Sequence, residues 1–382
     1  MAVRPSPWRA FFPLADRCVF LDHAGVAPVS LRVVEAVRAF AAEAASELHR
    51  RYPYWNERAE QVRAACARLI GVEPRQVAFV KNTSEALSLV AEGFDWQPGD
   101  AVVIADQEFP SNVYPWWGLR QRGVEARMLA VADGGITAER VDAMLDERVR
   151  MVALSAVAYG TGDRLDLEAI AARCHARGVL FVVDAIQALG AVAIDMTRCG
   201  VDCVAADGHK WLCAPEGTGF VALSDALLER LRPVQLGWKS MVDAQSFYPY
   251  DFRLRSDASK LEAGSLNLLG LHALGAAVDL VLEVGIDEIE SRLAGLTADL
   301  SSGLEARGRA LLGRRREAGD RASGIVTFVP AGAPERVRQE LWARGVITKV
   351  RFGGIRLAPH YYQDASDVSR FFAALEEAEA SA

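Results

Sequence analysis

Of 43 basic residues only five are lysine: Lys81, Lys210, Lys239, Lys260 and Lys349. Arginine cannot do amine chemistry at neutral pH, so each lysine is a candidate for it. Lys210 is the best placed, directly after His209 and just beyond the apolar run 202–206. A partly desolvated amine there has a lowered pKa and can form a Schiff base, whereas a surface-loop lysine is merely solvated. Asp184 closes the apolar run 179–183. A carboxylate in that position meets a cation or several donors, or else caps the next turn. Thr83 and Ser84 stand between the run 76–80 and a helical pattern over 85–92. Hydroxyls and free N–H groups at a helix start suit a phosphate. The same two residues also serve as an ordinary N-cap, with Glu85 in the first turn.

Two other groupings carry less. Gly217-Thr218-Gly219-Phe220-Val221-Ala222 has the spacing of a dinucleotide fingerprint but precedes a strand instead of joining a strand to a helix. Cys199, Cys203, His209 and Cys213 crowd together without a paired CxxC spacing, so no metal is expected.

The elements that must position these residues alternate. Segments 76–80, 101–105, 151–154, 179–183 and 202–206 are short, unbroken apolar runs and read as buried strands. Helical patterns over 85–92, 113–122, 138–147 and 166–177 lie between most of them, and 220–223 reads as another strand. That alternation predicts a mostly parallel sheet with helices on both faces. Ligands of such sheets bind beyond the carboxyl ends of the strands. There the chain offers Lys81 to Glu85, Asp106 to Asn112, Ser155 to Gly160, Asp184 with Gln187, and Asp207 to Trp211. Past about residue 235 the pattern changes. A long loop over 236–262 leads to a strongly apolar helix over 268–284, an amphipathic one over 287–307, strands at 324–328 and 355–358, and helices over 333–343 and 367–379. The expected division is a large domain over 19–262 and a small α+β domain made of 1–18 and 263–382.

The chain has 382 residues, 51% hydrophobic and 24% charged, which is an ordinary globular composition and excludes general disorder. A net charge of −7 argues against nucleic acid as a partner. No unbroken apolar run approaches the roughly 18 residues of a membrane span. The stretch 1–18, with Pro5, Pro7, Arg9 and Pro13, has no signal-peptide core. Six scattered cysteines make no disulfide framework, and a cytoplasmic location is expected.

Taken together these residues resemble the fold-type I pyridoxal-phosphate enzymes, in particular the class V aminotransferase and cysteine desulfurase superfamily. The resemblance begins at Phe20-Leu21-Asp22-His23-Ala24-Gly25-Val26-Ala27-Pro28. It runs through Thr83-Ser84-Glu85, Asp184-Ala185-Ile186-Gln187, Gly208-His209-Lys210 and Glu262-Ala263-Gly264-Ser265-Leu266-Asn267, and ends at Ile355-Arg356-Leu357-Ala358-Pro359-His360-Tyr361-Tyr362. It implies a large α/β domain with a mostly parallel seven-stranded sheet flanked by helices, plus a smaller α+β C-terminal domain. It implies pyridoxal 5'-phosphate as cofactor and a role in amino-acid metabolism. By the same resemblance Lys210 bonds the cofactor and shuttles the Cα proton, and Asp184 pairs with the pyridine nitrogen. Gln187 bonds the ring oxygen, and Phe109 stacks on the ring. Thr83, Ser84 and His209 hold the phosphate, with Ser265 reaching over from a neighbouring subunit. Arg356 clamps the substrate carboxylate, with His23 and Ala24 on the substrate side.

The sequence departs from the desulfurases at three points. Their active-site loop carries a sulfur-accepting cysteine just before the carboxylate arginine; here 347–354 has none, and the last cysteine of the chain is Cys213. An asparagine common near the ring is absent from 155–160, which has Val157 and Tyr159. Asp207 replaces a common serine, and a carboxylate near a phosphate is unfavourable unless it points away. Persulfide transfer by the desulfurase route is therefore not expected. The expected function is an aminotransferase or C–S lyase acting at Cα of a small amino acid. The alternatives are an epimerase or a kynureninase-like hydrolase of the same fold, or a non-catalytic protein that keeps the fold to bind or regulate. The helix 268–284 is apolar on nearly every side, so it must be covered on nearly every side. Burial between the two domains of one chain would do that. Ser265 favours the other solution, a homodimer with shared active sites.

Overall fold

The computed structural model describes residues 6–133, 135–313 and 323–381, so the first five residues of the N-terminal stretch lie outside it. Its large sheet is made of β2 (Val77–Val80), β3 (Ala101–Ala105), β4 (Glu125–Leu129), β5 (Val149–Ser155), β6 (Leu180–Asp184), β7 (Cys203–Asp207) and β8 (Gly219–Leu223), in the spatial order β2-β8-β7-β6-β5-β3-β4. Only β8 runs against its neighbours, so the other six strands end on one edge.

The reason lies in the side chains. β3, β6 and β7 are buried along their whole length, because small and β-branched residues face helices on both sides. Alternate residues feed two cores. Val103 and Ala105 pack on one face, and Val102 and Ile104 on the other. The edge strand β4 has only Leu129 buried and carries Glu125 and Arg127, which is how a sheet edge is kept from pairing further. That polar make-up hides it from a search for apolar runs.

Helices α1 (Leu31–Ser46) and α2 (Leu48–Ile70) went unread in the sequence, and they decide how the apolar helix Leu268–Val284 is covered. Both pack along it. Gly275 admits α2 so closely that a Cβ there would sit 2.4 Å from Val62. The helix is thus buried within the chain, and its apolar surface gives no support to a subunit interface. Arg63 of α2 makes a buried ion pair with Glu262 at 2.6 Å, and Glu262 also accepts the Phe79 N–H at 2.8 Å. That pair fixes the start of the segment that carries Ser265. Among the described residues no single helix is long and apolar enough to cross a membrane.

The remaining strands are short. β1 (Val19–Phe20) pairs in parallel with β11 (Val346–Ile347). β9 (Leu311–Leu312), β10 (Val326–Phe328), β12 (Lys349–Arg351) and β13 (Gly354–Leu357) form an antiparallel sheet in the order β12-β13-β10-β9. Val19, Leu21, Phe328, Leu341, Ile355 and Phe371 share one core there, beneath the helices Pro334–Ala343 and Ala365–Ser381. The turn between β12 and β13 has two residues, Phe352 at φ 48° and Gly353 at φ 75°, the left-handed pair that a tight hairpin uses. Phe352 is uncommon in that conformation. Its ring packs onto Gly160, where any Cβ would come within 1.9 Å of it.

Candidate active site

Register brings the site together. Ser155 ends β5 level with Asp184 of β6, and Asp184 is level with Ala205 of β7. Asp207, Gly219 and Val80 are level across β7, β8 and β2. The residues following these strands therefore emerge side by side. Helix α3 (Thr83–Gly93) starts directly after β2 and is capped by Asn82, whose side chain accepts the Glu85 N–H at 2.9 Å. Thr83 is consequently not the cap. Its hydroxyl is buried and has no hydrogen-bond partner. Ser84 is exposed and shares a 2.7 Å hydrogen bond with Ser111.

Lys210 is 8% exposed, and its Nζ stands 5.4 Å from the centre of the Phe109 ring. Burial lowers its pKa to about 8, and the Asp184 charge opposes that drop. Asp184 is 2% exposed and accepts one hydrogen bond, from Ile186 N–H at 3.0 Å. Burial raises its pKa to about 6, against the pull of Lys210. Glu108 is a residue to which the sequence reading assigned no role. Its carboxylate takes the Ser155 N–H at 2.7 Å and the Ser155 hydroxyl as well. This ties the Phe109 loop to the end of β5. Burial, with Asp184 repulsion added, pushes Glu108 up to about 7. Its only early signal was a carboxylate one residue from Phe109.

Gln187 is held by Trp211. The indole N–H can only donate, so it fixes Oε1 of Gln187 at 2.9 Å and turns the amide nitrogen the other way, 3.0 Å from the Ala24 carbonyl. One amide N–H remains to donate. His23 is placed differently from the expectation. Its ring is fully buried, with Nδ1 2.7 Å from the Ala358 carbonyl and Nε2 2.7 Å from the Tyr362 hydroxyl. Neither nitrogen is left for a substrate, because both are spent joining the N-terminal segment to the end of β13.

Arg356 is buried in β13. One Nη donates to the Tyr159 carbonyl at 2.8 Å, the other to Asp22 at 2.6 Å, and Nε has no partner. The guanidinium is thus paired with Asp22. Phe109, Tyr159 and Phe352 form a chain of rings with centroids 5.4 Å and 5.5 Å apart. A cavity of about 460 Å³ adjoins the cluster at Glu108, Ser155, Tyr159 and Phe352, and Lys210, Asp184 and Arg356 are not among its walls. Ser265 is exposed and, among the described residues, makes no hydrogen bond to this cluster.

These residues fit pyridoxal phosphate. Thr83 offers an orphaned hydroxyl at a helix N-terminus, where a phosphate is favoured. Lys210 offers a buried amine with a lowered pKa, and Asp184 a buried carboxylate with no bonded cation. The orphaned Nε of Arg356 suits a carboxylate.

Glu108 gives a pH test. Its folded pKa of about 7 exceeds the ordinary 4.5, so the folded state binds more protons and stability falls as pH rises through that window. The change is on the order of 3 kcal/mol at most. Denaturation of the cofactor-free chain should show Glu108→Gln gaining on the parent between pH 4.5 and 8. Parallel stability curves would contradict the assignment.

A family model described as aminotransferase class-V matches residues 19–363. A probable cysteine desulfurase of Methanothermobacter thermautotrophicus is 32% identical over 303 residues, which are 78% of this chain and 75% of that protein. A cysteine desulfurase of Dickeya dadantii is 33% identical over 299 residues, 74% of this chain and 72% of that one. Among solved structures, the apo cysteine desulfurase of Thermococcus onnurineus NA1 superposes with a TM-score of 0.89 at 24% identity, covering 100% of both chains. The cystine C-S lyase C-DES, in complex with cysteine persulfide, gives a TM-score of 0.88 at 22% identity over 95% of this chain and 98% of that one. The last two likenesses carry the fold. The chain belongs to the aminotransferase class-V family of pyridoxal-phosphate-dependent enzymes.

Proposed function

We propose that this chain acts at Cα of a small sulfur-containing amino acid and breaks its C–S bond by β-elimination, releasing the sulfur group to solvent. One observation carries the choice of a lyase over a desulfurase. The hairpin beside the site turns on Phe352-Gly353, and all six thiols of the chain are pushed up by burial. A persulfide acceptor must be a thiolate within reach, and burial disfavours every thiolate here.

The cofactor, when bound, supplies the electron sink that lets the Cα proton leave. Lys210 has an amine pKa of about 8, so a useful fraction is neutral near neutral pH and can bond an aldehyde or accept that proton at Nζ. Asp184 would keep a proton on the pyridine nitrogen, and Gln187 would have one N–H left to donate to the ring oxygen. Phe109 would give the ring an apolar wall, and Arg356 would orient the substrate carboxylate. The Cα proton would pass to Nζ of Lys210, and the Cβ–S electron pair would leave with sulfur, which takes up a proton. Hydrolysis by one water would then give a 2-oxo acid and ammonia, with hydrogen sulfide released from cysteine or a persulfide from its disulfide.

The test is a panel of amino acids with product identification on the loaded chain. Cysteine or its disulfide should give a 2-oxo acid, ammonia and a released sulfur compound, and Lys210→Ala should reduce turnover by at least about a thousandfold. Amino-group transfer to a second 2-oxo acid would replace the reading by an aminotransferase, and an inverted enantiomer by an epimerase. Alanine as product would indicate desulfuration or kynureninase-like cleavage. A chain that binds no cofactor would point to a non-catalytic protein.

We further propose a homodimer in the cytoplasm. Phe247, Tyr248, Tyr250 and Phe252 are 67% to 92% exposed on one loop, an apolar surface that a second copy would cover. Ser265 is exposed nearby in sequence, and the six free thiols suit a reducing compartment. Light scattering at low concentration should give twice the chain mass. A fully active monomer would refute the shared site.

A further inference from the structure

Asp207 is the last residue of β7 and stands three residues before Lys210. A carboxylate at a phosphate site is unfavourable, yet its side chain is only 4% exposed. The structure shows where it turns. Its Oδ2 lies 3.0 Å from Nδ1 of His209, a close contact that is not aligned as a hydrogen bond. The backbone around the pair is held firmly. Gly208 N–H donates to the Thr218 carbonyl, Ala214 N–H to the Gly208 carbonyl, and Ala27 N–H to the His209 carbonyl, each at 2.9 Å. A Cβ on Gly208 would meet Ala214 at 2.8 Å, so this turn cannot shift sideways. With the backbone fixed, the orientation of the imidazole depends on its own partners.

Asp207, Gly219 and Val80 are level, which puts the start of α3 about two strand spacings, or roughly 10 Å, from the Asp207–His209 turn. The unpartnered Thr83 hydroxyl stands at that helix start. The two ring nitrogens of an imidazole face away from each other, so with Nδ1 beside Asp207 the Nε2 edge is turned away from that carboxylate.

We infer that Asp207 is a positioning residue. It pins His209 so that Nε2 is presented as a donor to the cofactor phosphate, opposite Thr83. Asp207 does not touch the cofactor itself. The inference rests on reading the site as one for pyridoxal phosphate.

The test compares the affinity of the full-length, cofactor-stripped chain for pyridoxal phosphate and for pyridoxal, which lacks the phosphate. Asp207→Asn should weaken pyridoxal phosphate by about tenfold, the size of one charge-assisted hydrogen bond, and leave pyridoxal unchanged. In a His209→Ala background the same substitution should cost nothing more. If Asp207→Asn folds poorly, Asp207→Ser serves for the same comparison. Equal losses for both ligands, additive losses with His209→Ala, unchanged affinity or tighter binding would each overturn the inference while leaving the site reading intact. A parent chain that takes up neither ligand would overturn both.

Discussion

The arrangement depends on one unbalanced charge. Asp184 sits at the end of a fully buried strand, its side chain bonded among the described residues only by a backbone N–H, with Glu108 as a second buried carboxylate close enough to repel it. Burying a carboxylate without a bonded cation is costly, and both groups respond by moving up in pKa. A protonated pyridine placed against Asp184 would remove that cost. The same burial lowers the Lys210 amine, so burial at this end of the sheet raises an acid and lowers an amine that feel each other's charge.

The parallel sheet delivers these groups at the ends of adjacent strands, where side chains are locked by packing. The residues proposed for the substrate come from other elements. Arg356 comes from β13 and rests on Asp22, and Phe352 comes from the neighbouring hairpin turn. Both contact the segment after β5, through the Tyr159 carbonyl and the Gly160 backbone. The residues proposed for the cofactor therefore stand at or just after the strand ends of the large sheet, and Arg356 and Phe352 on a short antiparallel sheet that contacts them. The aromatic chain Phe109–Tyr159–Phe352 connects the two.

Much of this was legible in the sequence. The central strands are apolar on both faces, so their runs are unbroken, and Lys210 and Asp184 follow them directly. What stayed hidden depended on neighbours. β4 is polar because it is an edge. The helix Leu268–Val284 read as apolar all round, but its periodicity could not say that α1 and α2 cover it. His23 looked available until its two nitrogens were found bonded across 335 and 339 residues. Thr83 looked like a cap until Asn82 took that role. Glu108 carries no motif, and its importance comes from Ser155, which sequence places far away.

The most direct test is the ionisation of Asp184 followed by difference infrared spectroscopy as pyridoxal phosphate is added near pH 5.5, with Asp184→Asn as control. In the free protein, with a pKa of about 6, much of Asp184 should be protonated at that pH. Addition should exchange a carboxylic-acid band for carboxylate bands, and the control should lack the exchange. A band pattern that does not change on binding, or that changes equally in the control, would contradict the pairing on which the account rests.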